Sequence, residues 1–166
     1  IDRNIRELGF RTEDILMILN SHAHFDHAGG IAALQGMSGA VVAASPASAR
    51  ALEQGAATAD YPQFAYVETG SFPPVPNVSP LEDGELLSVG GKEITAHFTP
   101  GHTPGSTTWS WQSCEGTRCL NIVYADSLNP VSAPDFRFTV DATHPSIVDA
   151  FRQSIARVER LPCDIL

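Results

Sequence analysis

Positive charge is what this chain has least of. Ten Lys and Arg stand against 19 Asp and Glu in 166 residues, a formal net charge of −9. A general nucleic-acid binder needs a basic face to neutralise phosphates, and docking on an anionic membrane needs the same, so the balance argues against both. Long apolar runs are missing as well; none approaches the roughly 18 residues of a membrane-spanning helix. There is no internal repeat and no charged tail. Gly (13) and Pro (12) are scattered without a period, which excludes collagen-like and simple low-complexity sequence. The chain starts at Ile1 without the basic and apolar regions of a secretory leader, so any leader has been removed or lies outside this sequence. What is present is 43% apolar residue, enough for one domain with a real core and too much for disorder. The closing Cys163-Asp164-Ile165-Leu166 reads as the start of a buried strand. The expectation is a single domain over 1–166, truncated at both ends.

Local patterns suggest the elements. Apolar residues at 1, 5 and 8 have helical spacing, with Gly9 as a stop. Residues 15–19 form a continuous apolar run, as in a strand buried on both faces. A short helix is expected to begin at Gly29-Gly30, and a second buried strand over 40–44. Residues 46–54 follow as a helix with Pro at its start and Gly55 after its end. The segment 56–80 has Pro at 62, 73, 74, 76 and 80, and reads as a long surface excursion, a length of loop that is usually functional. Strands over 85–89 and 92–99 flank a Gly90-Gly91 turn, and strands over 107–112 and 120–125 flank the cysteines 114 and 119. Ile147, Phe151, Ile155 and Val158 share a helical face, with Leu161 ending the stripe and Ser146 and Asp149 in a capping pattern. Such an order predicts a layered α/β fold with helices packed outside a sheet sandwich.

The histidines carry the chemistry. Four of the six fall in two clusters, the first being His22-Ala23-His24-Phe25-Asp26-His27, directly after a buried strand. In an extended turn, residues two apart point the same way, so His22, His24 and Asp26 converge and His27 turns in as the helix begins. Three imidazoles and a carboxylate in six residues suit no hydrophobic core. They suit Zn²⁺, which takes His nitrogens and carboxylate oxygens. Four such groups crowd a single tetrahedral ion, so two ions sharing the segment is the better geometry, and that requires ligands from elsewhere. His102, on a turn fixed by Pro100, Gly101, Pro104 and Gly105, supplies one. Asp126, at the end of another strand, is a further candidate. His97, on an alternating strand, reads as structural, and His144, beside Pro145, as a cap or surface residue.

The first cluster resembles the H-x-H-x-D-H signature of the metallo-β-lactamase superfamily, and Gly101-His102-Thr103-Pro104-Gly105-Ser106 resembles its second metal motif. Residues 21–34, 95–109 and 124–128 are similar to subclass B3 metallo-β-lactamases, and the resemblance runs over nearly the whole chain. It implies an αββα sandwich with the metals at one edge of the two sheets, here partial, with the N-terminal strands and the C-terminal end missing. It implies that His22, His24 and His102 hold a first zinc and that Asp26 and His27 hold a second. The second ion normally takes one more His from a loop beyond the last helix. Ser127 stands where another subclass has a zinc-binding Cys and is read as a hydrogen-bonding group behind the ligands. For Asp126 two readings stand: a carboxylate bridging two metals, as in thioesterase-like relatives, or a buried carboxylate accepting backbone hydrogen bonds.

The implied activity is zinc-dependent hydrolysis of the β-lactam amide, and so antibiotic resistance, by a metal-bound hydroxide that Asp26 also orients. The alternatives are another hydrolase of the same superfamily, a thioesterase or lactonase, and an inactive metal-binding fragment. Two Zn²⁺ are the expected cofactors and a small β-lactam the expected partner, with no nucleic acid and no membrane, on a monomer. The 56–80 excursion is the candidate wall of a substrate groove, with Gln63, Phe64, Tyr66, Asn129 and Ser127 as candidate contacts. Cys114 and Cys119 face each other across a hairpin neck, within disulfide reach, the alternative being a pair of free thiols. Cys163 is the odd one, and in subclass B3 relatives its counterpart pairs with a Cys nearer the C-terminus. These features point to a periplasmic or secreted protein.

Overall fold

A computed structural model describes residues 1–66, 70–134, 136–139 and 146–166. Two sheets lie at its centre. The first is parallel, in the order β1 (Met17–Leu19), β2 (Val41–Ala44), β3 (Val78–Pro80). The second is antiparallel, in the order β4 (Leu86–Val89), β5 (Lys92–Phe98), β6 (Thr107–Glu115), β7 (Arg118–Tyr124). Helices α1 (Asp2–Glu7), α2 (Phe25–Ala28), α3 (Ile31–Ser38) and α4 (Pro46–Gln54) fall between or before the strands of the first sheet, and α5 (Ile147–Val158) follows the second.

Strand β2 shows why the layers stack. Side chains alternate across a strand, so Val42 and Ala44 face one way and Ala43 the other. Val42 and Ala44 join a core with Ile31, Ala51, Leu52, Tyr61, Phe72 and Val75. Ala43 joins a second core with Leu81, Ala96 and Trp109, against which Leu19, Ile94 and Trp111 pack. The first core lies between the sheet and its helices; the second lies between the two sheets. Helix α4 is anchored by its sequence: Ser45 caps Ser48 N, Pro46 opens the first turn, and Gly55 takes the left-handed conformation (φ 76°) that ends it.

Several expectations change. The excursion 56–80 is not a surface loop. Tyr61, Phe72 and Val75 are buried in the first core, and the segment closes by returning as β3. Strand β1 is half-buried rather than buried on both faces, and Leu16 just before it is 65% exposed. On α5, Phe151 and Ser154 are buried while Ile155 is 39% exposed. A hydroxyl can take the inward position because Ser154 donates to Pro100 O at 2.7 Å. Ser146 sits at the N-cap of α5 but makes no side-chain cap bond. Ile165 pairs with Ile122 in strand fashion, yet Ile165 and Leu166 are exposed. Cys114 and Cys119 form a disulfide, and Cys163 is free and exposed. His144 and Pro145 lie outside the described residues. No helix among the described residues is long and apolar enough to cross a membrane.

Candidate metal centre

The two sheets deliver their functional ends to one edge. Strand β1 ends at Leu19, β5 at Phe98 and β7 at Tyr124, while β6 begins at Thr107. Thr107 N donates to Ser21 O at 2.8 Å, which ties the second sheet to the segment that follows β1. That segment is itself fixed, since buried Asn20 donates to His22 O at 2.9 Å. His24 is the extended residue before α2 (φ −95°, ψ 158°), so Asp26 and His27 lie on a helical turn and not on an extended strand. The alternation that pairs His22 with His24 therefore stops at His24.

Two groups of ligand atoms result. His22, His24 and His102 bring one atom each within 4.8 Å of one another, and so do His22, Asp26 and His27. The imidazole rings crowd together, with centroids 4.6 Å apart for His22–His24, 4.8 Å for His22–His102 and 4.0 Å for His22–His27. His27 Nε2 lies 3.4 Å from Asp26 Oδ2, and the Asp26 side chain is 75% exposed. His97 is in neither group; its Nε2 bonds Ser110 Oγ at 2.8 Å.

Partners behind the imidazoles decide which nitrogen faces inward. His22 Nδ1 meets Asp126 Oδ1 at 2.7 Å. An ionised carboxylate only accepts, so Nδ1 carries the proton and Nε2 keeps its lone pair. His102 Nδ1 donates to Asn129 O at 2.9 Å, which likewise leaves Nε2 bare. Gln63 Oε1 lies 3.0 Å from His24 Nε2, and the Gln63 amide nitrogen reaches the carbonyls of His102, at 3.0 Å, and Val131. Asp126 follows the second reading, with an addition: it is buried, accepts from the Ser127 backbone and from the His22 ring, and belongs to neither ligand group. Nothing local could have revealed the bond to His22, which spans 104 residues.

Burial favours the neutral form of His24, His102 and His27. Burial, with His22 and His102 close by, pushes the His24 imidazole down to about 4. His102 is lowered chiefly by burial, against the hydrogen bond to Asn129 that raises it. His27 is lowered by burial and then by His22. For Asp126, burial favours the neutral acid, but hydrogen bonds from His22, Ser106 and the Ser127 backbone outweigh it and hold the carboxyl below its usual range. Neutral imidazoles with lone pairs turned toward one another, beside a carboxylate, are the donor set a cation of the zinc type takes, so the residues present fit a metal.

A cavity of about 380 Å³ opens over both groups, lined among others by Phe25, Gln63, Tyr66, Ser127, Asn129 and Val131. Of the candidate contacts, Ser127, Asn129, Gln63 and Tyr66 reach it, while Phe64 is not part of its lining. Gln63 is buried, with its amide engaged by protein partners. A second cavity of about 330 Å³ shares His27 and is walled by Trp109, Trp111 and Tyr124.

Residues 2–115 match the family model described as metallo-beta-lactamase superfamily. Over 99% of its length the chain superposes on Rm3 metallo-beta-lactamase with TM-score 0.95 and 49% identity, covering 61% of that chain. It superposes equally widely on MEM-A1, a subclass B3 metallo-beta-lactamase isolated from a soil metagenome library, with TM-score 0.94 and 41% identity, covering 62% of that chain. A hydroxyacylglutathione hydrolase of Maricaulis maris (strain MCS10) is 33% identical over 92 residues, which are 55% of this chain and 27% of that protein. The chain thus spans less than two thirds of the length of each.

Proposed function

Because the chain belongs to the metallo-beta-lactamase superfamily, we propose that it carries the zinc-holding part of a hydrolase that opens the β-lactam amide, and so confers antibiotic resistance. The observation that carries the reading is the pair of imidazoles, His22 and His102, held with Nε2 inward by two partners, Asp126 and Asn129, from the segment after β7. The similarity to subclass B3 enzymes supports the choice of substrate. In this reading His22, His24 and His102 hold one zinc, and Asp26 and His27 hold part of the shell of a second. His22 lies in both groups, but its single free nitrogen serves one ion only.

Zinc bound there supplies a Lewis acid for the lactam carbonyl and brings the acidity of water near neutrality. The chain's own groups do the rest. Asp126 and Asn129 O keep His22 and His102 in the ligating form. Asp26 lies exposed beside His27, where its carboxylate would accept a hydrogen bond from the attacking water and orient it. One carboxylate among neutral imidazoles leaves the loaded centre positive, which draws in the carboxylate common to these drugs. Ser127 and Asn129, on the cavity wall, offer it hydrogen bonds. The Cys114–Cys119 disulfide supports a periplasmic or secreted location.

A thioesterase reading draws on the hydroxyacylglutathione hydrolase match. Against it, the Asp that would bridge two metals in such enzymes here gives Oδ1 to His22. The test is zinc content by elemental analysis together with turnover of a carbapenem, a thioester and a homoserine lactone on one sample. Two zincs with the carbapenem hydrolysed fastest is the expected result. Faster thioester or lactone turnover would move the chain to another activity of the family, and bound zinc without any turnover would leave a metal-binding unit.

A further inference from the structure

We propose that Gln63 is a positioning residue of the metal centre: it dictates which nitrogen His24 offers and so fastens the 56–66 segment to the ligands. The inference rests on the reading that His22, His24 and His102 hold the metal.

The amide of Gln63 has one orientation open to it. Its nitrogen faces two backbone carbonyls, His102 O at 3.0 Å and Val131 O. Carbonyls only accept, so the amide group turned toward them is the NH₂, and both of its protons are used. Oε1 is then the atom turned to His24 Nε2, at 3.0 Å. An amide oxygen only accepts, so His24 donates from Nε2 and its Nδ1 is left without a proton. That makes His24 the inverse of its neighbours. His22 and His102 donate from Nδ1 and present Nε2, whereas His24 donates from Nε2 and presents Nδ1.

A second distance agrees. His24 Nδ1 lies 3.2 Å from His102 Nε2. With Gln63 and Asn129 O holding the other protons, two lone pairs face each other across this gap, and they cannot bond to one another. The pair becomes favourable when a cation sits between its members and the others of the set. Gln63 also joins three separate stretches, since it sits in the segment after α4 while its partners come from the α2 entry, the β5–β6 turn and residue 131. Burial makes the restraint strong: Gln63 is 7% exposed, and water cannot easily replace any of its three bonds.

The test combines imidazole nitrogen NMR with competitive zinc titration on the chain. In the wild type, His24 is expected as the Nε2–H form, the opposite of His22 and His102; a His24 protonated at Nδ1 overturns the inference without any variant. Gln63→Met, of similar length but without polar atoms, is expected to mix the two His24 forms and weaken the first zinc about 10- to 100-fold. Gln63→Glu, which still accepts from His24 but leaves the two carbonyls unpaired, is expected to keep the single Nε2–H form. A merely structural role would make the two variants alike in their His24 signal. His24→Ala separates the premises. If it binds zinc as tightly as the wild type, the ligand reading fails. If it loses zinc while Gln63→Met keeps both full affinity and one His24 form, the inference about Gln63 alone fails.

Discussion

His22 and Asp126 are 104 residues apart in the chain and 2.7 Å apart in the fold, and their side chains are each 1% exposed. The first follows a strand of the parallel sheet and the second follows a strand of the antiparallel sheet, so one charge-assisted hydrogen bond spans the sandwich at its functional edge. Asp126→Ala removes the acceptor. The expected results are a loss of first-site zinc affinity of about 10- to 100-fold and a loss of stability of about 1–3 kcal/mol. Asp126→Asn keeps an oxygen toward Nδ1 and should lose less of both. Zinc competition and urea unfolding measure the two effects; unchanged affinity in the alanine variant would refute the orienting role.

Ligands and look-alikes separate on metal content. His102→Ala should abolish hydrolysis and weaken the first zinc while the far-ultraviolet circular dichroism stays that of the wild type. His97→Ala removes only a bond to Ser110 and should leave zinc content unchanged, at a cost of about 1 kcal/mol. Equal zinc loss in both variants would break the ligand assignment.

Gly105 is a packing constraint on the site's rear wall. An added Cβ would land on Ser48 and crowd Ser45 Oγ, both of whose hydroxyls donate to Gly105 O. Gly105→Ala should therefore cost roughly 1–3 kcal/mol, read as a lower melting temperature. Zinc affinity should fall with it, because the turn that carries His102 must shift.

Acid should loosen α5. Asp83 accepts from Phe98 N at 2.8 Å and from Arg157 at 2.7 Å. Burial raises its carboxyl, but Arg157 and Phe98 together hold it below the ordinary value of 3.8. A lowered folded value means that the unfolded chain takes up the proton first as pH falls. The contribution is therefore complete above about 4 and disappears as pH drops through the folded value. The group is half-exposed, so at most about 1 kcal/mol is involved. Asp83→Asn should melt below the wild type at pH 7, and the difference should shrink as pH falls below the ordinary value of 3.8; a difference that stays constant in acid would rule out the ionised contact as its source.

Reduction of Cys114–Cys119 should cost about 2 kcal/mol by the chain-entropy account, since the loop it closes is short. The bridge sits at the far end of the β6–β7 hairpin, so zinc content should not change. Melting with and without reductant, with elemental analysis on each sample, checks both.

What the sequence made legible was local. His22, His24, Asp26 and His27 lie within six residues, and the fixed turn around His102 marks itself by its prolines and glycines. Strand positions followed from apolar runs and from the Gly90-Gly91 turn. The groups behind the ligands were hidden, because a hydrogen bond between residues 39 or 104 positions apart leaves no periodic trace. Proline count misdirected the reading of 56–80. It registered the turns and missed that Tyr61, Phe72 and Val75 supply the first core. Likewise Ser154 could not be expected inside by its polarity; a carbonyl waiting at Pro100 made the position available.

The bond from Thr107 N to Ser21 O has a wider meaning. It stands beside the candidate ligands of both sheets, His22 and His24 after a strand of one and His102 after a strand of the other, so an ion bound by them would strengthen the whole sandwich by mass action. On the proposed reading, removing the metal would unfasten this seam as well as empty the site. Without the metal the protein would then sample open states more often and be cut more readily by proteases. The amount of intact protein would then follow the supply of that metal.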